Sequence, residues 1–238
     1  MDKAQFLTVK DDFDRRRYFW FPRDLVKNGL WATWPSAAQA VFPALLSFMG
    51  GGGSCFPSLD IIGIRCGRSR KTVSEGVDHL LNQPIPLTRT ARITAAGRRS
   101  YVYRWPRPTV KRGLFFPLRH CIFDGGNWAT LTPTAQAIYI CMRTFGLVSG
   151  ADELDAVFGG QSADAVEYGL RDFEFCRADP DVLCELSGIT HRSLHAALDS
   201  LTRCGLAVRD PDMDGGDGAD TWRVYLTPNK GNVTVTLR

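Results

Sequence analysis

The residues of this chain with the clearest chemical potential lie between positions 68 and 74. This cluster combines three cationic and three hydroxyl side chains, namely Arg68, Ser69, Arg70, Lys71, Thr72 and Ser74. A guanidinium can donate two parallel hydrogen bonds to guanine O6 and N7, and hydroxyl groups bond to phosphates or bases. The cluster therefore indicates contact with a nucleic acid.

Two predicted helices position this cluster. An apolar helix is expected over residues 59–65, and a turn at Cys66-Gly67-Arg68 follows it. Gly67 suits the turn because glycine adopts a positive φ without penalty, and Ser69 suits the N-cap of the second helix. That helix carries one apolar stripe, formed by Val73, Val77, Leu80 and Leu81. Gly76 lowers its helix propensity, and we interpret this glycine as a point of close packing against the preceding helix.

A predicted β-hairpin follows the helices. Residues 87–93 and 100–105 read as alternating strands around turn residues 95–98, with Arg98 and Arg99 at the tip. The arginines of this hairpin suit phosphates or a minor groove: Arg89, Arg92, Arg98, Arg99 and Arg104.

Helix, turn, helix and basic hairpin in this order resemble the winged helix-turn-helix superfamily. The resemblance covers about residues 30–106, and it rests on Cys55-Phe56-Pro57-Ser58 and on Gly67-Arg68-Ser69-Arg70-Lys71-Thr72-Val73. These stretches look like domains of bacterial regulators and of phage and plasmid replication proteins. The resemblance implies DNA binding, with the second helix in the major groove. A packed pair of core helices and a protein-interaction module are the alternatives.

The chain also repeats itself. Trp31-Ala32-Thr33 recurs 97 positions later as Trp128-Ala129-Thr130, and residues 38–42 recur as 135–139. Further along, Cys66-Gly67 lies opposite Ser187-Gly188, at an offset of 121. The larger offset predicts an insertion in the second copy, at about residues 146–175, with one short helix near 162–170.

We therefore predict an α+β, mainly helical fold made of two winged helix-turn-helix domains in tandem. The expected limits are 1–112 for a basic domain and 113–238 for an acidic domain that carries the insertion. An acidic turn over residues 210–220 is the tip of the second hairpin. The tail at 232–238 alternates as a strand that could pair with residues 6–9 or with another subunit.

Charge divides the two copies. Residues 1–112 contain 19 Lys and Arg against 8 Asp and Glu, a net +11, whereas residues 113–238 contain 10 against 17, a net −7. The basic copy fits a polyanion. The acidic copy fits a protein-interaction or dimerisation module better than a second DNA reader, for which His191 and Arg192 are the candidate contacts.

The sequence disfavours several classes of protein. There is no apolar run of membrane-span length, no secretory signal and no catalytic motif. The seven scattered cysteines read as reduced core residues, the aromatic run at 18–21 as core, and Arg15-Arg16-Arg17 as either a DNA-contacting arm or a solvated run. His191 and His195 are four apart, but no third metal ligand is evident. We expect a cytoplasmic, non-enzymatic protein with no cofactor or metal.

These patterns predict a sequence-specific double-stranded DNA-binding protein, most simply a transcriptional regulator. A plasmid- or phage-type replication initiator is the alternative, and an interaction module in a nucleoprotein assembly is the alternative of another class. The expected partner is double-stranded DNA without a membrane, and a homodimer or protein partner through residues 113–238 is left open.

Overall fold

The first half of the chain places two short helices and one longer helix between a strand and the predicted helix pair. The computed structural model describes residues 18–49, 53–95, 97–106, 114–147, 173–211 and 220–229. The elements up to the hairpin are, in order, β1 (Tyr18–Pro22), α1 (Asp24–Lys27), α2 (Leu30–Thr33), α3 (Ser36–Leu46), β2 (Ser54–Cys55), α4 (Leu59–Cys66), α5 (Arg70–Leu81), β3 (Thr88–Ile93) and β4 (Arg99–Arg104).

The second half follows a closely similar order. Its elements are β5 (Phe115–Arg119), α6 (His120–Asp124), α7 (Asn127–Thr130), α8 (Pro133–Thr144), β6 (Gly146–Leu147), β7 (Phe173–Cys176), α9 (Pro180–Ser187), α10 (His191–Arg203), β8 (Ala207–Arg209) and β9 (Trp222–Tyr225). Only β6 has no counterpart among the described elements of the first half.

Three small antiparallel sheets tie these elements together. β1 pairs with β5, with Tyr18 opposite Arg119 and Pro22 opposite Phe115. The order β2-β4-β3 forms the sheet of the first hairpin, and β6-β7-β9-β8 forms that of the second. The β1–β5 sheet therefore joins the two halves of the chain.

The helix pair forms for the reasons that the sequence indicates. Ser58 caps α4 by accepting from the backbone N–H of Ile61 at 3.2 Å, and Gly67 ends this helix with a φ of 68°. Ser69 caps α5 by accepting from the N–H of Thr72. The apolar stripe of α5 faces the core, with Val73, Val77 and Leu80 fully buried. The predicted helices and turn are confirmed.

Gly76 packs close to another helix, but the predicted neighbour is wrong. An added Cβ would lie 2.8 Å from the carbonyl oxygen of Ala37, in α3 and not in α4. Helix α5 thus rests on α3, the first long helix of its half, and glycine allows the two backbones to approach.

The hairpin is also confirmed. β3 and β4 pair from Thr88–Arg104 to Ile93–Arg99. The turn closes by backbone bonds from Gly97 N–H to Thr94 O and from Thr94 N–H to Arg98 O, both at 2.9 Å. Gly97 takes the positive φ of 71° that this tight turn requires.

One apolar core runs through both halves. α3 packs against α8, α4 against α7, and α9 against α2. Trp31 and Trp128 are fully buried, as are Phe21 and Phe116, which lie opposite each other in the β1–β5 sheet. The aromatic run at 18–21 is core in part: Phe19 and Phe21 are buried, whereas Trp20 is half-buried and Tyr18 is 39% exposed. The domain limits at 112 and 113 stay a prediction.

Several predicted features fall outside the described residues. They are the arm at 15–17, the helix near 162–170, most of the acidic turn at 210–220 and the pairing of 6–9 with 232–238.

At the flanks of the predicted insertion, β6 pairs with β7. Beside them, the buried Arg143 guanidinium lies 3.2 Å from the Glu174 carboxylate, without the alignment of a hydrogen bond, and also donates to Pro117 O at 2.6 Å. No helix in the described part of the chain is long and apolar enough to cross a membrane.

Candidate nucleic-acid interface

The first turn of α5 presents its cations to solvent. The side chain of Lys71 is 87% exposed and approaches Glu75 only to 4.0 Å, whereas that of Arg70 is 64% exposed and forms an ion pair with Asp60 of α4. An ion pair this exposed contributes little stability, so a phosphate or a base edge can compete for Arg70. The exposed Asp60 carboxylate also restrains the direction in which Arg70 extends.

The hydroxyl side chains of this turn have different surroundings. The Ser69 hydroxyl caps the helix and lies 2.9 Å from the Thr72 hydroxyl, so both oxygens are partly engaged in local bonds. Ser74 lies half-buried one turn further along α5. The exposed start of α5 therefore combines two cations with hydroxyl groups, as a helix that enters a DNA groove does.

Arg68 points away from that surface, toward the second half of the chain. Its Nη2 donates to Gln136 Oε1 at 2.6 Å and its Nη1 donates to Gly67 O at 2.9 Å. Partial burial of the guanidinium lowers the pKa of Arg68. Its predicted DNA contact stays a prediction, but the side chain already has a partner inside the protein.

The hairpin arginines separate into a tip and a base. Arg98 and Arg99 are exposed where the turn meets β4, and Arg104 is exposed at the far end of that strand. Next to the tip, Arg92 lies opposite Ser100 and stacks on the ring of Phe56, with its guanidinium carbon 4.2 Å from the ring centre. The tip arginines are thus the ones best placed to meet a ligand.

Arg89 joins the hairpin to α5. Its Nη1 lies 3.1 Å from Asp78 Oδ1 on α5, and its guanidinium carbon lies 4.9 Å from the ring centre of Tyr101 on β4. This bridge links the hairpin to α5. Sequence reasoning assigned Arg89 to the nucleic acid, and it gave no signal for this internal bridge.

The second helix pair repeats one of these contacts at equivalent positions. His191, the first residue of α10, places Nε2 2.8 Å from Asp181 Oδ1 on α9, as Arg70 pairs with Asp60. Arg192 and His195 are exposed on the same helix. In the described ranges no three His, Cys, Asp or Glu side chains are grouped to hold a metal ion.

Reciprocal contacts join the two halves, and sequence reasoning missed them. Gln39 Nε2 donates to Trp31 O and to Ser187 O, both at 2.9 Å. Gln136 Nε2 donates to Trp128 O at 2.6 Å and to Cys66 O at 3.2 Å. Gln39 thus bonds to the C-terminal end of α9, and Gln136 bonds to the C-terminal end of α4. Each of these helices is the first of the helix pair in the opposite half. The repeated Trp and Gln were visible in the sequence, but which half each would contact was not.

The glycines of the two turns both lie at the contact between the two halves of the chain, which we call the seam. A Cβ on Gly67 would lie 2.1 Å from Ala129 O, and one on Gly188 would lie 2.3 Å from Ala32 O. Both turns therefore need glycine for space as well as for a positive φ.

The cysteines confirm the expected core placement for five of seven positions. Cys55, Cys66, Cys141, Cys176 and Cys184 are buried, and Cys121 and Cys204 are half-buried. Burial raises the pKa of Cys55 and of Cys176 to about 12 and that of Cys66 to about 11. Such thiols are poor nucleophiles at neutral pH.

Comparison with known proteins identifies one feature. A family model for a helix-turn-helix domain matches residues 35–81, which is 47 of the 238 residues and includes α3, α4 and α5. No curated protein and no solved structure matches the chain. The chain therefore contains a helix-turn-helix domain, and this domain supports DNA binding.

Proposed function

We propose that this helix-turn-helix protein binds double-stranded DNA and recognises its sequence. Helix α5 enters the major groove with Arg70 and Lys71 nearest the base edges and the phosphates, while Arg98 and Arg99 engage the backbone or the adjacent minor groove. The observation that carries this proposal is the exposed pair of cations at the start of α5, a helix whose opposite face is buried in the core.

The distribution of charge supports the same function. Residues 1–112, which contain the matched domain, carry a net +11. A surplus of this size attracts a polyanion over several ångströms and makes binding sensitive to salt.

The second half belongs to the proposal as a second winged helix-turn-helix unit that arose by internal duplication. Three observations support it. The elements recur in nearly the same order, the Asp60–Arg70 ion pair has its counterpart in Asp181–His191, and the glutamine contacts between halves are reciprocal. The described strands β8 and β9 occupy the position of the first hairpin.

Transcriptional regulation is the process that we propose, in the cytoplasm and without catalysis. Replication initiation of the plasmid or phage type is the second candidate, because two winged units in a chain of this size resemble such initiators. A homodimer or a further protein partner stays open within either process.

The deciding experiment selects bound duplexes from a random library with the full-length chain and then titrates salt. Enrichment of one sequence motif together with salt-sensitive binding supports the proposal. Equal binding to all duplexes contradicts sequence recognition, and no binding at low salt contradicts DNA binding altogether. Selected motifs that occur as iterated repeats beside the gene favour an initiator, and a single motif in a divergent promoter favours a regulator.

A further inference from the structure

The strand register divides the hairpin arginines between the two faces of their sheet. Arg89 lies opposite the buried Tyr103 and contacts Asp78 of α5, so its face is turned toward the core. Arg104 follows Tyr103 on β4, and it belongs to the opposite face because side chains alternate along a strand. Arg92, three positions from Arg89, belongs to that opposite face as well. We call it the outer sheet face.

The outer sheet face is cationic and rich in hydroxyl groups. Arg104 is exposed on it, and Arg92 is half-buried. The register adds four hydroxyl side chains to the same face, namely Ser54, Thr88, Thr90 and Ser100. Strands β2, β3 and β4 contain no Asp or Glu. Cations and hydroxyl donors without a carboxylate among them fit a chain of phosphates.

An exposed aromatic ring completes this face. Phe56 directly follows β2 and is 61% exposed. The guanidinium carbon of Arg92 lies 4.2 Å from the centre of its ring, which places Phe56 on the outer sheet face. An aromatic ring next to a guanidinium is the combination on which an unpaired base stacks.

This combination suits an unpaired strand better than a duplex. In double-stranded DNA the flat faces of the bases already stack on one another, so they offer no surface to the ring of Phe56. In a single strand these faces are free, and every base can stack on an aromatic side chain. The outer sheet face is also turned away from α5, because Arg89 on the other face contacts that helix.

The two arginines are spaced along the sheet. Arg92 lies opposite Ser100, four residues before Arg104 on β4. Four residues of an extended strand span about 14 Å, so the two guanidinium groups can engage separate phosphates of one strand.

The second half lacks the exposed ring. At the offset of 121 that relates Cys55 to Cys176, the position of Phe56 is occupied by Arg177. The aromatic side chain is therefore particular to the basic half, whose net charge of +11 attracts nucleic acid.

We propose that the outer sheet face binds single-stranded DNA, with a base stacked on Phe56 and phosphates bound by Arg92 and Arg104. The choice of an unpaired strand rests on Phe56, and the choice of DNA over RNA rests on the proposed function. A process that opens a duplex beside the site bound by α5 supplies such a strand.

The test measures the fluorescence anisotropy of labelled strands with the full-length chain. The probes are oligo-dT, oligo-rU of the same length and the duplex obtained by selection. Phe56→Ala should weaken oligo-dT binding about tenfold and leave duplex binding unchanged, because one stacking contact is lost. Phe56→Tyr keeps the ring and should bind oligo-dT as the wild type does. Arg104→Ala should weaken oligo-dT binding and reduce its dependence on salt.

Two control variants alter side chains outside this face. Ile64 is 74% exposed on α4, so Ile64→Ala removes an exposed apolar side chain and should leave oligo-dT binding unchanged. Lys71→Ala should weaken duplex binding alone. Circular dichroism checks the fold of each variant, and Phe56→Leu, which keeps an apolar side chain without a ring, replaces Phe56→Ala if that variant does not fold.

The outcomes separate this inference from the proposed function. Equal oligo-dT affinity in the wild type and Phe56→Ala refutes the outer sheet face, and so does an equal loss in Lys71→Ala, which places the strand on α5. Tighter binding of oligo-rU than of oligo-dT overturns the choice of DNA. If the wild type binds the duplex but no oligo-dT at low salt, this inference fails and the proposed function stands. If it binds oligo-dT through Phe56 but no duplex, the proposed function fails.

Discussion

Trp31 and Trp128 bond across the centre of the molecule in a reciprocal pair. The indole Nε1 of Trp31 donates to Ala137 O at 3.3 Å, and that of Trp128 donates to Ala40 O at 3.0 Å. The two donors are 97 positions apart in the sequence, and so are the two acceptors. Equivalent surfaces thus meet each other, as they do in a symmetric dimer, but within one chain.

The first prediction concerns the separated halves. Because both indoles and the β1–β5 sheet are buried between the halves, a fragment of residues 1–112 exposes a large apolar surface. We expect this fragment alone to aggregate or remain unfolded, and the intact chain to unfold in one cooperative transition. Circular dichroism and sedimentation of the fragment check this, and a folded, monomeric fragment would contradict it.

The second prediction compares the two seam glutamines. Gln39→Ala removes two buried hydrogen bonds, and Gln136→Ala removes two and also the Arg68 contact at 2.6 Å. We expect losses in the free energy of unfolding of about 2 kcal/mol for Gln39→Ala and about 4 kcal/mol for Gln136→Ala. Urea unfolding measures both, and equal losses would argue against a stabilising role for Arg68.

The third prediction concerns Gly67, with Gly97 as its control. Both have a φ near +70°, but only Gly67 has a neighbour, since a Cβ there would lie 2.1 Å from Ala129 O. Alanine at Gly97 should cost only the backbone strain, about 1 kcal/mol. Alanine at Gly67 should cost more than about 3 kcal/mol, because the seam must also open. Similar melting temperatures for the two variants would contradict this packing.

The fourth prediction separates base reading by the start of α5 from phosphate binding by the hairpin tip. Arg70→Ala should cost about 1–3 kcal/mol on the selected duplex and much less on unrelated duplexes, because a guanidinium can fork onto a base edge. Arg98→Ala should weaken binding to all duplexes alike and reduce the salt slope by about one. Gel-shift titrations over a range of salt measure both effects.

Lys27→Ala is the matched control for these cation variants, since Lys27 is exposed at the end of α1, outside the helix pair and the hairpin. Its binding curves should follow the wild type. A loss at Lys27 as large as that at Arg70 would indicate attraction by net charge and not recognition by α5.

The fifth prediction concerns the buried thiols at high pH. The pKa of Cys55 and of Cys176 is raised to about 12 from 9.0, so in the folded state these thiols hold protons that the unfolded chain releases. The free energy of unfolding should therefore fall as pH rises above about 9. The double variant Cys55→Ser/Cys176→Ser should show a smaller fall. Urea unfolding between about pH 8 and pH 10 checks this.

The local features of the candidate site could be predicted from the sequence, and the long-range ones could not. Ser69, Gly67 and the α5 stripe each depend on neighbours within a few positions, and all three appear as expected. Arg68 was assigned to the outward cluster, but its partner Gln136 lies 68 positions away. Gly76 indicated a close contact, yet only the packed structure identifies Ala37 of α3 as the neighbour.

Each turn packs against the main chain of the opposite half, and this packing limits which positions can be redesigned. Gly67 and Gly188 leave no room for variation, because each lies against a main-chain oxygen of the other half. The outward residues of α5 and α10 have no such constraint. On the proposed function, a library aimed at new target sequences therefore randomises positions 70, 71 and 74 of α5 and leaves both glycines unchanged.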